Sequence, residues 1–397
     1  MVLFVTQPPA CASQIDVIRS GWHSPRKERE VSGQCIPDPR GGHENEYYFP
    51  TRVWVMADMR ITAVTCVKNE GPFLLEWIAF NRIIGVTDFL FYSNDCSDAT
   101  DRLLDRLQEH GVVAHLPNPA TNRNYQMQAL KASRRHPLVK HADWVWIADV
   151  DEFLNIHVGD HTLPALIDAC GNPQAISVTF QFMANNGIEE FVDTPVITQF
   201  QHSHNPDIWG ADTAIEVKSL VRRDFPTEYF GAHRPFHDDE KAKPKWTDGS
   251  GRQVPPPFRK AAGKRRIRAF PARDARRFAT LNHYALRSLD SYLVKNDRGD
   301  VNREHRAFDD SYWRERNDPA YHDDSILRYE APLQAEMARL MALDGVADLH
   351  AEAVALHKAK RDALLAQESY QQMREQLRNA APFSDAETAI LKELAGA

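Results

Sequence analysis

Between residues 60 and 148, short apolar runs and amphipathic segments alternate, and few folds accept that pattern. Residues 61–67 form a β-branched run, which predicts a buried strand. Residues 71–84 predict a helix with Leu74, Trp77 and Ile78 on one face. Further strands are predicted at 88–92, 112–115 and 144–148, and further helices at 98–110 and 125–140. This alternation predicts a parallel α/β sheet with helices on both faces. In such sheets the ligand lies beyond the C-terminal ends of the strands. The segments that matter are then Lys68-Asn69-Glu70, Ser93-Asn94-Asp95, Pro117 onward, and 149–152.

Outside this stretch the regularity weakens. Residues 1–58 carry Gln7-Pro8-Pro9 and Gly41-Gly42 without lasting periodicity. They read either as an extension without packed structure or as an over-called start, since Met56 and Met59 precede the first strand. A helix is expected at 162–169, and strands at 175–183, 216–221 and 281–286. Residues 241–277 hold thirteen Lys or Arg against two acids. They read as a basic loop or insertion within a domain spanning 59–300. Residues 301–397 are expected to be mainly helical, as a cap or as an arm for a partner.

Composition removes several function classes. The net charge of −7 argues against a general nucleic-acid binder. The five cysteines form no C-x-x-C pair, which disfavours zinc ribbons and disulfide frameworks. No run approaches the roughly 18 apolar residues that span a bilayer, and the start lacks a basic leader. A cytoplasmic protein is expected. The basic loop gives it a possible peripheral contact with an anionic membrane at the inner face.

The sharpest motif is Trp144-Val145-Trp146-Ile147-Ala148-Asp149-Val150-Asp151-Glu152-Phe153. Two carboxylates just past a buried strand repel each other unless a cation neutralises them. Oxygen ligands of this kind suit Mg²⁺ or Mn²⁺, with coordination completed by substrate phosphates. A haloacid dehalogenase-like phosphatase also places Asp-x-Asp after an apolar strand. Its motif opens the domain and wants a small residue where Phe153 stands. A nucleotidyltransferase would show a Gly-rich loop after the first strand, and none is present. An inactive scaffold of the same fold is the third alternative.

Ala63-Val64-Thr65-Cys66-Val67-Lys68-Asn69-Glu70, then 74–81, then Phe91-Tyr92-Ser93-Asn94-Asp95-Cys96-Ser97-Asp98-Ala99-Thr100, resemble the opening of a glycosyltransferase family 2-like domain. Asp149-Val150-Asp151-Glu152-Phe153 resembles that family's metal-and-donor motif. Asn282-His283-Tyr284, with Arg287-Ser288 and 295–299, resembles its closing motif. The resemblance implies a GT-A-like, Rossmann-type mixed sheet, mostly parallel and flanked by helices, with a C-terminal helical extension. It implies a nucleotide-sugar donor, most simply UDP-linked, a Mn²⁺ or Mg²⁺ cofactor, and inversion at the anomeric carbon. The acceptor would be a glycan, a lipid-linked glycan or a protein.

Roles carry over by matching position. Asp149, Asp151 and His283 correspond to metal ligands, and Asp149 also to a donor contact. Cys66, Lys68, Asn69, Asn94, Asp95 and Arg123 would line the nucleotide, with Gln126 as the alternative to Arg123. Asn94 departs from the family's acidic residue there. Glu70 reads equally as a cap on the following helix. An inverting transferase needs a carboxylate to take the acceptor proton. The candidates are Glu189 and Asp212, then Glu190, Asp238 and Asp239. His233 in Gly231-Ala232-His233-Arg234-Pro235 is expected to face the site.

Overall fold

The computed structural model describes residues 59–121, 124–205, 217–237, 241–259, 274–299 and 310–384. Arg123, Asp212, Asp238 and Asp239 lie outside the described residues, as do 1–58. The expected alternation is present. It runs β1 (Ile61–Val67), α1 (Leu74–Ile83), β2 (Asp88–Ser93), α2 (Thr100–Glu109), β3 (Ala114–Pro117), α3 (Tyr125–Ser133), α4 (Pro137–His141) and β4 (Trp144–Ile147). The helix expected over 125–140 is two helices. Pro137 has no N–H to continue the first, and it opens the second at its first turn.

The chain continues through β5 (Glu152–Ile156), α5 (Leu163–Ala169), β6 (Ala175–Phe182), α6 (Val196–Gln199), β7 (His202–Ser203) and β8 (Val217–Arg222). Next come the hairpin β9 (Tyr229–Phe230) and β10 (Pro235–Phe236), then β11 (Trp246–Asp248), α7 (Pro256–Arg259) and β12 (Ala279–His283). Last are α8 (Leu289–Arg298), α9 (Asp310–Arg316), β13 (Tyr321–His322), α10 (Glu330–Met341), α11 (Val346–Leu365) and α12 (Glu368–Arg378).

The main sheet has the order β3-β2-β1-β4-β8-β6-β12-β5, with β11 also on β6. β3, β2, β1 and β4 are mutually parallel. β8 runs antiparallel to both β4 and β6, and β5 antiparallel to β12. This is a mixed, mostly parallel sheet, as the resemblance implies. The chain moves outward from β1 to β3, then returns to place β4 on the other side of β1. The switch point therefore falls between β1 and β4, where open α/β sheets bind ligands.

Two strands depart from the expectations. β5 follows the Asp-x-Asp turn directly and is buried throughout. β11 lies within the basic stretch, yet Trp246 is fully buried and pairs with Ala175. Part of that stretch is therefore sheet.

The core explains the order of elements. Trp77 and Phe80 of α1 are fully buried. Trp77 meets Phe89 and Phe91 edge-on, and Phe80 meets Phe153. Each such ring contributes about 1.5–3 kcal/mol by leaving water. The C-terminal helices form a cap on the same body. Gly71 touches α11 so closely that a Cβ there would lie 2.7 Å from the Ala353 Cβ. His357 of α11 packs on Phe73 and lies 3.2 Å from the Ser291 hydroxyl of α8. α11 thus buttresses both the loop after β1 and the helix that reaches over the switch point.

Candidate active site

Two loops leave the sheet at the switch point, and one helix ties them together. Asn69 and Asp95, in the loops after β1 and β2, hold left-handed backbone conformations with φ of 52° and 47°. Asn and Asp tolerate that region better than other side chains. Asn69 accepts from the Ser97 N–H at 2.7 Å and donates to the Ser97 hydroxyl at 3.1 Å. Asp98 accepts from the Gly71 N–H at 3.0 Å. The two loops are thereby fixed to each other.

α8 starts at Ser288, whose hydroxyl caps it by accepting from the Ser291 N–H. Lys295 and Arg298 lie three apart on it and so share a face. Arg298 donates to the Lys68 carbonyl at 2.6 Å and pairs with Glu70. Arg287 completes a buried triad by donating to the other Glu70 oxygen at 2.9 Å, and its guanidinium covers the Phe73 ring. Burial alone would raise the Glu70 pKa. Arg287 and Arg298 outweigh it and hold the carboxyl below its ordinary value. Glu70, read from sequence as a possible helix cap, is a buried counter-ion and makes no side-chain cap bond.

The Asp149–Asp151 turn carries the second ion cluster. Asp149 accepts from Lys218 at 2.6 Å and from Gln126 at 2.8 Å. Lys218, on β8, is wholly buried and lies 3.3 Å from Glu152 as well. Burial opposes charge on Lys218, but Asp149 and Glu152 hold it above the ordinary lysine pKa. Burial pushes the Glu152 carboxyl well above its usual range, and the charges of Asp149 and Asp151 push the same way.

Asp151 accepts from Lys295 at 2.8 Å, and His283 Nε2 lies 3.5 Å from the same oxygen. Burial would raise the Asp151 pKa, yet Lys295 and then His283 hold it well below the carboxylate norm. Burial lowers the pKa of His283, against the opposing pull of Asp151. β12 places His283 opposite Glu152 on β5, and that register brings His283 to the turn.

Among the described residues, Asp151, Glu152 and His283 each offer a ligand atom within 4.8 Å of the others. An ionised carboxylate and a neutral imidazole are the forms a divalent ion binds. The buried His283 Nδ1 makes no hydrogen bond. The donor set fits Mn²⁺ or Mg²⁺. Asp149, expected in the same ligand set, lies outside this three-residue group.

The remaining expected residues fall in three places. Cys66, next to last in β1, is half-buried, accepts from the Asn118 amide at 3.0 Å, and has its thiol pushed up to about 12 by burial. Asn94 is buried beside it, while Asp95 is exposed. Lys68 is half-buried at the mouth of the same loop. Glu189 is elsewhere, with Arg374 and Arg378 of α12 holding its carboxylate at 2.9 and 2.7 Å. Glu190 follows it on the exposed side. His233 and His283 both pack edge-on against Phe180, with centroids 6.4 and 4.8 Å away. Lys218, Lys295, Arg287 and Arg298 were given no role by sequence. Three of them stand in the closing motif, but only the fold shows that they face the acids.

Residues 62–250 match the sequence profile of glycosyltransferase family 92. A glycosyltransferase family 92 protein of Ricinus communis is 28% identical over 99 residues, which are 24% of this chain. This chain spans 17% of that relative's length. Among solved structures, the S. aureus TarS fragment 1–349 is 12% identical, covering 79% of this chain and 92% of that one, with a TM-score of 0.28. The same fragment in complex with UDP-GlcNAc gives 12% identity over the same shares and a TM-score of 0.26. Overlays this loose say nothing about donor or acceptor. The sequence match supports a glycosyltransferase, with a domain over residues 62–250 similar to family 92.

Proposed function

We propose that this chain moves a sugar from a nucleotide-sugar donor, UDP-linked in the simplest reading, to a hydroxyl of a glycan, a lipid-linked glycan or a protein, with inversion. The observation that carries the reading is positional. The Asp149–Asp151 turn leaves the C-terminal end of β4 at the switch point, beside Glu70, and four buried or nearly buried cations surround the pair of loops. A donor diphosphate there would meet Lys295 on α8. Asn69, Asn94 and Asp95, on the loops after β1 and β2, would meet the base and ribose. A divalent cation held by Asp151 and His283, with Glu152 third, would supply Lewis-acid charge for the leaving diphosphate.

Arg374 and Arg378 hold the Glu189 pKa below its ordinary value, chiefly through the Arg378 hydrogen bond, so Glu189 is a weak proton acceptor. We assign the acceptor base to Asp212. A cytoplasmic place, with the basic stretch 241–277 meeting anionic lipid, belongs to the same proposal. Among the described residues no helix is long and apolar enough to cross a membrane.

The test is a calorimetric and thermal-shift screen of nucleoside diphosphates and sugar nucleotides, with and without Mn²⁺, on wild type and Asp151→Ala. Ligand at a hundredfold excess over Kd stabilises by about 2.7 kcal/mol. Stabilisation by a diphosphate that needs metal and disappears in Asp151→Ala supports the reading. Absence of any nucleotide effect under every metal overturns it.

A further inference from the structure

Lys295 stands where a cation on Asp151 would stand. Its Nζ donates to Asp151 Oδ2 and to the Ala285 carbonyl, each at 2.8 Å. An ammonium has three donors, so one N–H is left for a ligand. The side chains of Lys295, Asp151 and His283 are 15, 12 and 13% exposed, so none of the three is wholly sealed. The other cations nearby are committed elsewhere. Lys218 lies between Asp149 and Glu152, Arg287 binds Glu70 and the Val150 carbonyl, and Arg298 binds Glu70 and the Lys68 carbonyl. Lys295 is therefore the ammonium that neutralises Asp151.

A divalent ion held by Asp151 and His283 would sit beside that ammonium, since His283 Nε2 approaches the same oxygen. Two cations within hydrogen-bonding reach of one carboxylate oxygen repel. The ion can take its place only if Lys295 gives up Oδ2. Arg298 holds α8 to the loop after β1, so the helix stays and the lysine side chain moves. A diphosphate arriving with the ion offers new acceptors on the side Lys295 already faces.

We infer that Lys295 is a built-in counter-ion of Asp151, that it competes with the divalent cation for that carboxylate, and that the donor diphosphate takes it up once it is displaced. This rests on the transferase reading for its last step only. Lys295 then acts as a positioning residue before the donor arrives. It also couples the two ligands, because each makes room for the other, and such coupling is reciprocal.

The experiment measures Mn²⁺ binding to the full chain by electron paramagnetic resonance of free Mn²⁺, first with the metal alone and then with UDP. The variants are Lys295→Met, Lys295→Gln, Lys295→Arg and Asp151→Asn. Lys295→Met and Lys295→Gln should bind Mn²⁺ alone about tenfold to a hundredfold more tightly than wild type. A charge-assisted hydrogen bond no longer has to be broken there. Lys295→Arg should stay near wild type, and Asp151→Asn should lose the site. UDP should tighten Mn²⁺ binding in wild type and do so much less in Lys295→Met.

A lysine with only a packing role would weaken metal binding when removed, so the sign of the change decides. Equal or weaker Mn²⁺ binding in both neutral variants overturns the inference, as does failure of every variant to bind Mn²⁺. If UDP binds wild type but the neutral variants gain no Mn²⁺ affinity, the counter-ion fails and the transferase stands. If they gain affinity but UDP binds nothing, the competition stands and the transferase reading fails.

Discussion

Replacing Lys218 with Met should be costly, and the cost should grow with pH. Lys218 is fully buried, 2.6 Å from Asp149 and 3.3 Å from Glu152. At an effective dielectric of about 20, the Asp149 distance corresponds to an attraction of roughly 6 kcal/mol, and the Glu152 distance to roughly 5 kcal/mol once that carboxyl is ionised. Desolvation of the ions offsets several kcal/mol of this. The removal of one partner from a buried ion pair typically costs about 3–5 kcal/mol. Methionine fills most of the same volume, so the loss is electrostatic and not a cavity.

The variant has one escape, protonation of Glu152, whose pKa is already raised in the fold. A carboxyl with a raised folded pKa contributes stability below its unfolded value and loses it as pH rises through the folded one. Without Lys218 that folded value rises further. The deficit should therefore widen as pH rises, toward about 3–5 kcal/mol once Glu152 is ionised in wild type. Urea denaturation of wild type and Lys218→Met across a pH series measures it. A loss that stays below about 1 kcal/mol at every pH, or that does not grow with pH, refutes the reasoning.

Other outcomes follow from the same structure. Glu76 is buried in α1, accepts from the Val196 and Ile197 N–H groups, and is pushed up to about 7 by burial. Its contribution is present below the ordinary value of 4.5 and is lost as pH rises through 7. The full difference is on the order of 3 kcal/mol. Glu76→Gln should flatten the fall in wild-type stability between pH 5 and 9, and an unchanged slope in denaturant midpoints would contradict this. Glu189→Gln should loosen α12 slightly, shifting stability by less than about 1 kcal/mol because the pair is partly open to solvent. Asp212→Asn should lower the transfer rate by about 10²–10⁴-fold with donor affinity unchanged. The reverse ranking in a transfer assay would return the base to Glu189.

How much of this is legible from sequence depends on how each residue is buried. β1 to β4 announce themselves as apolar runs between helical segments, and their ends locate the ligand face. β5 does not, because Glu152-Phe153-Leu154-Asn155-Ile156 begins with an acid and follows the turn without a break. β11 is three residues long inside a basic stretch, and only its partner strand makes Trp246 readable as core. The Asp-x-Asp turn is visible because carboxylates after an apolar strand are unusual. Its counter-ions are not visible. Lys218 sits in a strand whose other residues suggest ordinary alternation, and a lysine becomes a core residue only when acids stand opposite. Lys295 and Arg298 look like the polar face of a helix until α8 is laid across the switch point. Glu189 reads from sequence as a candidate base, but α12, far along the chain, supplies the arginines that engage it.

The central claim is that the switch-point cluster around Asp151 handles a nucleotide-sugar diphosphate. The most direct measurement is nucleoside diphosphate release from a panel of UDP-, GDP- and dTDP-sugars with mixed glycan acceptors and Mn²⁺, comparing wild type with Asp151→Asn. The account predicts release from one class of donor by wild type and a loss of about 10²-fold or more in the variant. Release at the same rate by both proteins, or from none of the donors, would contradict it.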